Sequence, residues 1–149
     1  MKRTFRKDLS RRLIDALVTA AIKRGIGPSQ RYLLTVAGRK TQIPHTTPVS
    51  VVTDGPARYL VGPYGVVDWV RNARQAGVVT LARAGRSEQF SLAGLSPEDA
   101  GPILKRYLAL EPITRPYFDV PADARPEAFE AEVAEHPVFK LTPTGSVRT

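Results

Sequence analysis

Two long cations and a hydroxyl stand together in the run Gly38-Arg39-Lys40-Thr41, and Pro44, His45, Thr47 and Pro48 follow closely. Cationic side chains, a hydroxyl and loop amide groups that converge beside a glycine are suited to gripping a phosphate. Further along the chain, Asp68-Trp69-Val70-Arg71-Asn72 brings an indole and a carboxamide three residues apart, on what reads as a short helix. An aromatic face beside an anion grip is a way to hold a planar, phosphorylated group. The alternative for the tip is a solvated basic turn, because the run lacks the fixed spacing of a P-loop. Trp69 could equally close the end of a barrel.

These residues need strands to position them. Arg31 to Val36 and Thr46 to Val52 carry the β-branched and aliphatic residues of two strands, joined by a short interruption that contains Gly and Pro. The pair predicts a hairpin with the cations at its tip. Pro48 has no N–H for a ladder, so the second strand is expected to lie at an edge or to bend there, leaving backbone free to meet a ligand. Arg58 to Val61 opens a third strand after the Asp54-Gly55 turn. Val78 to Ala82 and Ser87 to Leu92 form a second hairpin across Ala84-Gly85, and Val138 to Leu141 supplies a sixth strand. About six strands are enough for a small barrel. Ser96-Pro97-Glu98-Asp99 predicts a helix start, running to about Leu110, with Gly101-Pro102 delaying its regular part. Glu127 to Glu135 reads as a second short helix. The connection Glu111 to Pro126, rich in Pro and aromatic residues, reads as an ordered lid.

Taken in order, Gly38-Arg39-Lys40-Thr41, Pro44, Thr47-Pro48, Trp69 with Asn72, and His136-Pro137-Val138-Phe139 make the chain resemble the deazaflavin-dependent nitroreductase family, from about Tyr32 to Pro143. The resemblance implies a split β-barrel like that of flavin-mononucleotide-binding oxidoreductases, with flanking helices. It also implies hydride transfer between reduced coenzyme F-420 and a quinone, nitro compound or activated alkene. By position it assigns the phosphate grip to Arg39 and Lys40, with Thr41 and His45 beside them. Backbone around Pro48 and Gly62-Pro63-Tyr64 would flank the ring, and Trp69 and Asn72 would complete the pocket. Two positions depart from the family pattern: Gln42 stands where Gly is common, and His45 where Arg is common. A mostly neutral imidazole without a guanidinium fork weakens one phosphate contact. Tyr64 and Tyr117 are the candidate catalytic residues, because an aromatic ring accommodates a flat acceptor and a phenol can donate a proton. Tyr117 and Phe118, in the proline-rich connection, read equally as pocket or as core, whereas Tyr107 falls at helical apolar spacing and reads as core. Chemistry supplied by the cofactor also explains why no acid/base constellation stands out.

The front of the chain carries most of the charge. Between Met1 and Arg24 the cations Lys2, Arg3, Arg6, Lys7, Arg11, Arg12, Lys23 and Arg24 face only Asp8 and Asp15, so about six of the net +8 charges sit there. From Leu9, apolar residues at Leu13, Ile14, Leu17, Val18, Ala21 and Ile22 recur at spacings of three and four. That pattern is an amphipathic helix, with Asp8 or Ser10 as N-cap and Gly25 to Pro28 as its stop. It is too short and interrupted to span a bilayer, which takes about 20 apolar residues. Nor does it read as a secretory leader, since the charges run through the would-be apolar core. Docking on the barrel is the preferred reading, and contact with an anionic membrane surface is compatible with it. The same cations could meet the oligoglutamate tail of the coenzyme. Nucleic acid is disfavoured because aromatic residues do not interleave with the basic ones.

The organisation expected is therefore a basic amphipathic helix over 1–28 and a single split-barrel domain over 29–149, in a chain of 149 residues with 42% hydrophobic content. The absence of cysteine excludes disulfides and thiolate chemistry, and is compatible with a reducing, cytoplasmic setting at the inner face of a membrane. His45 and His136 stand in no ligand spacing, so no metal is assigned. Flavin mononucleotide or haem in the same barrel, a carrier of lipid or cofactor without catalysis, and a homodimer are the competing or additional expectations.

Overall fold

The computed structural model describes residues 9–147, which form three helices and six strands: α1 Leu9–Lys23, β1 Arg31–Ala37, β2 Pro44–Asp54, β3 Ala57–Val61, α2 Asp68–Ala76, β4 Val78–Arg83, β5 Arg86–Gly94, α3 Pro97–Leu110 and β6 Val138–Val147. The strands close into an antiparallel barrel in the order β1-β2-β3-β6-β5-β4. This is the split-barrel fold that the sequence led us to expect. Lys2, Arg3, Arg6, Lys7 and Asp8 lie outside the described residues, as do the side chains of Ser10 and Arg11, so the capping assignment for α1 falls outside them too.

The apolar pattern explains the architecture. Along β2, β3 and β6 neighbouring residues are buried on opposite faces: Val51, Leu60 and Phe139 point into the barrel, while Val52, Val61 and Val138 pack outward under α3. A helix covers that outer face with Ile103, Leu104 and Leu108, and Phe129 joins them. The barrel interior is filled by Leu34, Val36, Leu81 and Phe90, and α2 plugs one end with Val70 and Ala73. Each such valine, leucine, isoleucine or phenylalanine contributes about 1.5–3 kcal/mol by leaving water.

The turns follow from local chemistry. Ala84 and Gly85 both take positive φ, 53° and 79°, the geometry of a tight hairpin turn whose twist suits the flanking strands. Ser96 caps α3 by accepting a hydrogen bond from the Asp99 amide at 3.3 Å. Helix α3 is regular from Pro97 onward, so Gly101-Pro102 does not delay it; Pro102 removes one ladder bond and stands exposed. Gly101 is required there, because a Cβ would sit 2.6 Å from the Pro126 carbonyl. The expected helix over 127–135 is instead a 3-10 segment, Pro126–Glu132, whose buried Phe129 and Glu132 are three residues apart, the repeat of that tighter helix. The connection after α3 is ordered, with a 3-10 turn over Pro112–Tyr117 and Phe118 buried.

Among its described side chains, helix α1 is buried most deeply in its C-terminal half. Ile22 is fully buried, whereas Leu13, Ile14 and Leu17 remain 67%, 53% and 72% exposed. The Arg83 guanidinium fastens the chain leaving α1. It donates through Nη1 to the carbonyls of Pro28 and Arg31, at 3.0 and 2.9 Å, and through Nη2 to those of Gly25 and Gly27, at 3.1 and 3.0 Å.

Candidate functional site

Strand β2 changes partner halfway along. Pro44–Ser50 pair with β1 alone, in a register that sets Pro48 opposite Leu33 and Ser50 opposite Arg31, and from Val51 onward the strand pairs with β3. The first half therefore keeps one open edge, as Pro48 predicted, and that edge forms the side of a cavity of about 1100 Å³. Opposite stand Val66 and Val67 with the first turn of α2. The hairpin tip, where Lys40 is exposed, lines one end, the mouth, and the end of α3 with the following 3-10 turn lines the other, the inner end. Ile14, Asp15 and Val18 of α1 complete a wall.

Most of the residues singled out from the sequence come together here. Arg39, Lys40, Thr41, His45, Pro48, Pro63, Tyr64, Trp69 and Asn72 all line this cavity. Asn72, 4% exposed, ties the hairpin tip to α2. Its Oδ1 accepts from the Arg39 amide at 3.0 Å and from Arg39 Nη1 at 2.8 Å, while Arg39 Nη2 lies 3.5 Å from Asp68 Oδ1. Arg39 is thus aimed by α2, whereas Lys40 stands exposed at the mouth. Thr41 Oγ1 accepts from the Ile43 amide at 3.3 Å. The turn closes through the Gln42 amide donating to the Gly38 carbonyl and the Gly38 amide donating to that of Ile43, both at 2.9 Å.

Two expected positions are not on the wall. Gly62 is packed beneath α2: a Cβ there would meet Val70 Cγ2 at 3.1 Å, and its amide donates to the Pro137 carbonyl at 2.9 Å. Tyr117 stands behind Tyr64, the rings meeting edge to face with centroids 4.8 Å apart, so it supports that residue from outside the lining. Gly38 makes room for protein: a Cβ would fall 3.1 Å from His45 Nε2 and 3.2 Å from the Ile43 carbonyl.

The inner end was not anticipated. Glu111, 5% exposed at the end of α3, accepts from Ser50 Oγ at 2.6 Å, from Arg31 Nη2 at 3.1 Å and Nε at 3.4 Å, and from Gln30 Nε2 at 3.3 Å. Burial alone would raise its pKa. The hydrogen bonds from Ser50, Arg31 and Gln30 and the guanidinium charge outweigh it and hold the carboxyl below the usual carboxylate range. Tyr107, buried as expected, also reaches the cavity. Hairpin register could have paired Arg31 with Ser50; nothing local could have brought Glu111 to them.

A barrel closed by these six strands, with a cation-mouthed cavity along an open half-strand, defines the split-barrel class. Solved structures share the fold. One is a candidate pyridoxamine 5'-phosphate oxidase from Listeria innocua, 15% identical, with 94% of this chain and 97% of that one covered and a TM-score of 0.53. A second is the F420-H2 dependent reductase FDR-A, 16% identical, with 76% and 94% covered and a TM-score of 0.53. A third is a candidate 5-nitroimidazole antibiotic resistance protein from Bacteroides thetaiotaomicron, 14% identical, with 95% and 82% covered and a TM-score of 0.51. No family model matches the sequence, and no curated protein matches it significantly. The residues present suit a phosphorylated planar group: the cations Arg39 and Lys40, the Thr41 hydroxyl and the rings of Tyr64 and Trp69 line one cavity whose volume lies a little above the usual ligand range of about 300–1,000 Å³.

Proposed function

We propose that the chain is an oxidoreductase that passes a hydride between reduced coenzyme F-420 and a flat electrophilic acceptor such as a quinone, a nitro compound or an activated alkene. The observation that carries this reading is the cavity along the unpaired half of β2, with Arg39 and Lys40 at its mouth and Trp69 on its wall. A bound deazaflavin supplies two-electron hydride chemistry with little reactivity toward oxygen. The protein's part is to seat and shield it. Lys40, Thr41 and the free donors of Arg39 hold the phosphate; Pro48 and Pro63 flank the ring, with Trp69 and Asn72 completing the pocket, and Tyr64, backed by Tyr117, borders the acceptor. In this reading residues 29–149 are the cofactor-binding domain and 1–28 a basic accessory segment that contains α1.

The test is a fluorescence titration of the purified protein with oxidised F-420, with flavin mononucleotide in parallel, followed by turnover of reduced F-420 with a menaquinone analogue. Saturable F-420 binding with quinone-dependent oxidation is expected. Binding of flavin mononucleotide alone would move the protein to flavin chemistry, and binding of neither would make it a carrier.

Among the described residues no helix is long and apolar enough to cross a membrane. The exposed Leu13, Ile14 and Leu17 of α1, beside the exposed Arg12, instead favour peripheral contact with an anionic surface, which would place the protein at the cytoplasmic face with a lipid-soluble quinone in reach. Sedimentation with anionic vesicles, reversed by salt, is the expected result. A second copy covering the same face would appear as a homodimer in sedimentation velocity without lipid.

A further inference from the structure

The residues at the inner end of the cavity are not among those the proposed function assigns to the cofactor. Glu111 and Tyr107 lie one turn apart on α3, the Glu111 amide donating to the Tyr107 carbonyl at 2.8 Å, and both face the cavity. The Glu111 carboxylate is occupied by Ser50, Arg31 and Gln30, and none of those bonds uses the Tyr107 hydroxyl. Burial, reinforced by nearby Tyr64 and Glu111 against the opposing charge of Arg31, pushes the phenol upward. It therefore stays protonated and able to donate across the physiological range.

Position and charge define what this end can take. Ser50 is five residues of extended strand beyond His45, which is about 17 Å from the mouth. That distance separates Ser50, and the Glu111 carboxylate bonded to it, from the cations at the tip. With the carboxylate already matched by Arg31, neither a cationic nor an anionic acceptor gains a charge partner there. A donor phenol against a neutral ion-pair background suits a carbonyl oxygen, which accepts hydrogen bonds better than a nitro oxygen.

We propose that the inner end is the acceptor subsite, where the Tyr107 hydroxyl donates a hydrogen bond to an oxygen of a flat, uncharged carbonyl compound such as a quinone. The inference rests on the reading of the cavity as a cofactor-and-acceptor site, and selects quinones and enones from the classes named there. Arg31, Ser50 and Glu111 act as positioning residues that join β1, β2 and the end of α3 around that phenol.

The test uses the full chain without cofactor and a dimethylnaphthoquinone, whose alkylated ring does not add amines, with dimethylnaphthalene as the oxygen-free control. Binding is read from quenching of Trp69, the only tryptophan, which lines the same cavity. Tyr107→Phe keeps the buried ring, so it is expected to weaken quinone binding about five- to tenfold, the worth of one hydrogen bond, and to leave the hydrocarbon unchanged. Equal quinone affinity in the two proteins, or no quinone binding by the wild type, overturns the proposal. Should the variant fail to fold, infrared difference spectra of the quinone on the wild type decide: a carbonyl stretch lowered relative to alkane supports the hydrogen bond, and an unshifted one overturns it. The F-420 titration is run on both proteins. Loss of F-420 binding with the quinone effects retained removes the proposed reaction alone, whereas F-420 binding without those effects removes the subsite alone.

Discussion

Asn72 is the residue through which helix and hairpin act together. Its single oxygen accepts from both the backbone and the guanidinium of Arg39, so removing it leaves half-buried donors unpaired. Asn72→Ala is expected to cost about 1–3 kcal/mol in urea denaturation and to weaken binding of a phosphorylated chromophore, because Arg39 is no longer aimed. A variant as stable and as tight-binding as the wild type would dissociate Asn72 from the grip. Gln42 makes the opposite case. It is held at φ 63°, a left-handed conformation that costs a residue with a Cβ about 1–2 kcal/mol. Gln42→Gly should therefore raise the stability by about 1 kcal/mol, after allowing for the added freedom of the unfolded glycine, and a thermal melt reads it directly. The departure from glycine that the sequence showed at this position is thus a backbone matter before it is a phosphate contact.

Among the elements, β2 and α1 decide the shape of the site. Strand β2 leaves one edge open over Pro44–Ser50 because β3 is short, only Ala57–Val61, and its partners begin at Val51. The open edge is where backbone meets a ligand. Helix α1 supplies wall residues yet holds to the barrel through Ile22 and the segment that Arg83 clamps. A lysine at position 83 carries a point charge and cannot bridge four carbonyls at once. Arg83→Lys is expected to lower the opening free energy of residues 24–31 by about 1–2 kcal/mol, seen as faster amide hydrogen exchange there with the barrel strands unaffected. Uniformly faster exchange would mean that Arg83 supports the barrel and not α1. The hairpins and the start of α3 were legible from turn glycines and a Ser-Pro-Glu-Asp run, since those signals act within a few residues. The 3-10 character of Pro126–Glu132 was not, because it depends on Phe129 and Glu132 both being buried.

At the scale of the whole molecule, Glu111 links three parts of the fold: β1 through Arg31, β2 through Ser50, and α3, which it ends. Its folded pKa lies below the ordinary value of 4.5. The stability that it contributes is complete above the unfolded pKa and is lost as pH falls through the folded one. Wild type should therefore lose stability through and below pH 4.5 more steeply than Glu111→Gln, which has no proton to take up. Parallel stability profiles for the two proteins in that window would show that the carboxylate's charge is not coupled to folding. At neutral pH the variant should be the less stable, since Arg31 keeps its charge and loses its partner.

By itself the amino-acid sequence determined the strands, their alternation, the two tight hairpins, the helix cap and the cluster Gly38 to Pro48, because each depends on residues near in the chain. Nine of the residues that it singled out, in two short segments and the loop at Pro63-Tyr64, line one cavity. Only the tertiary structure decided that Gly62 packs under Val70, that Tyr117 stands behind Tyr64, and that Arg31, Ser50, Tyr107 and Glu111 meet at the inner end. The bonds of Glu111 to Ser50 and Arg31 join residues 61 and 80 positions apart, and barrel closure brings them together. Propensity and spacing act over a few residues; which distant side chains share a cavity is set by how α3 crosses the barrel, and that is a property of the packed core.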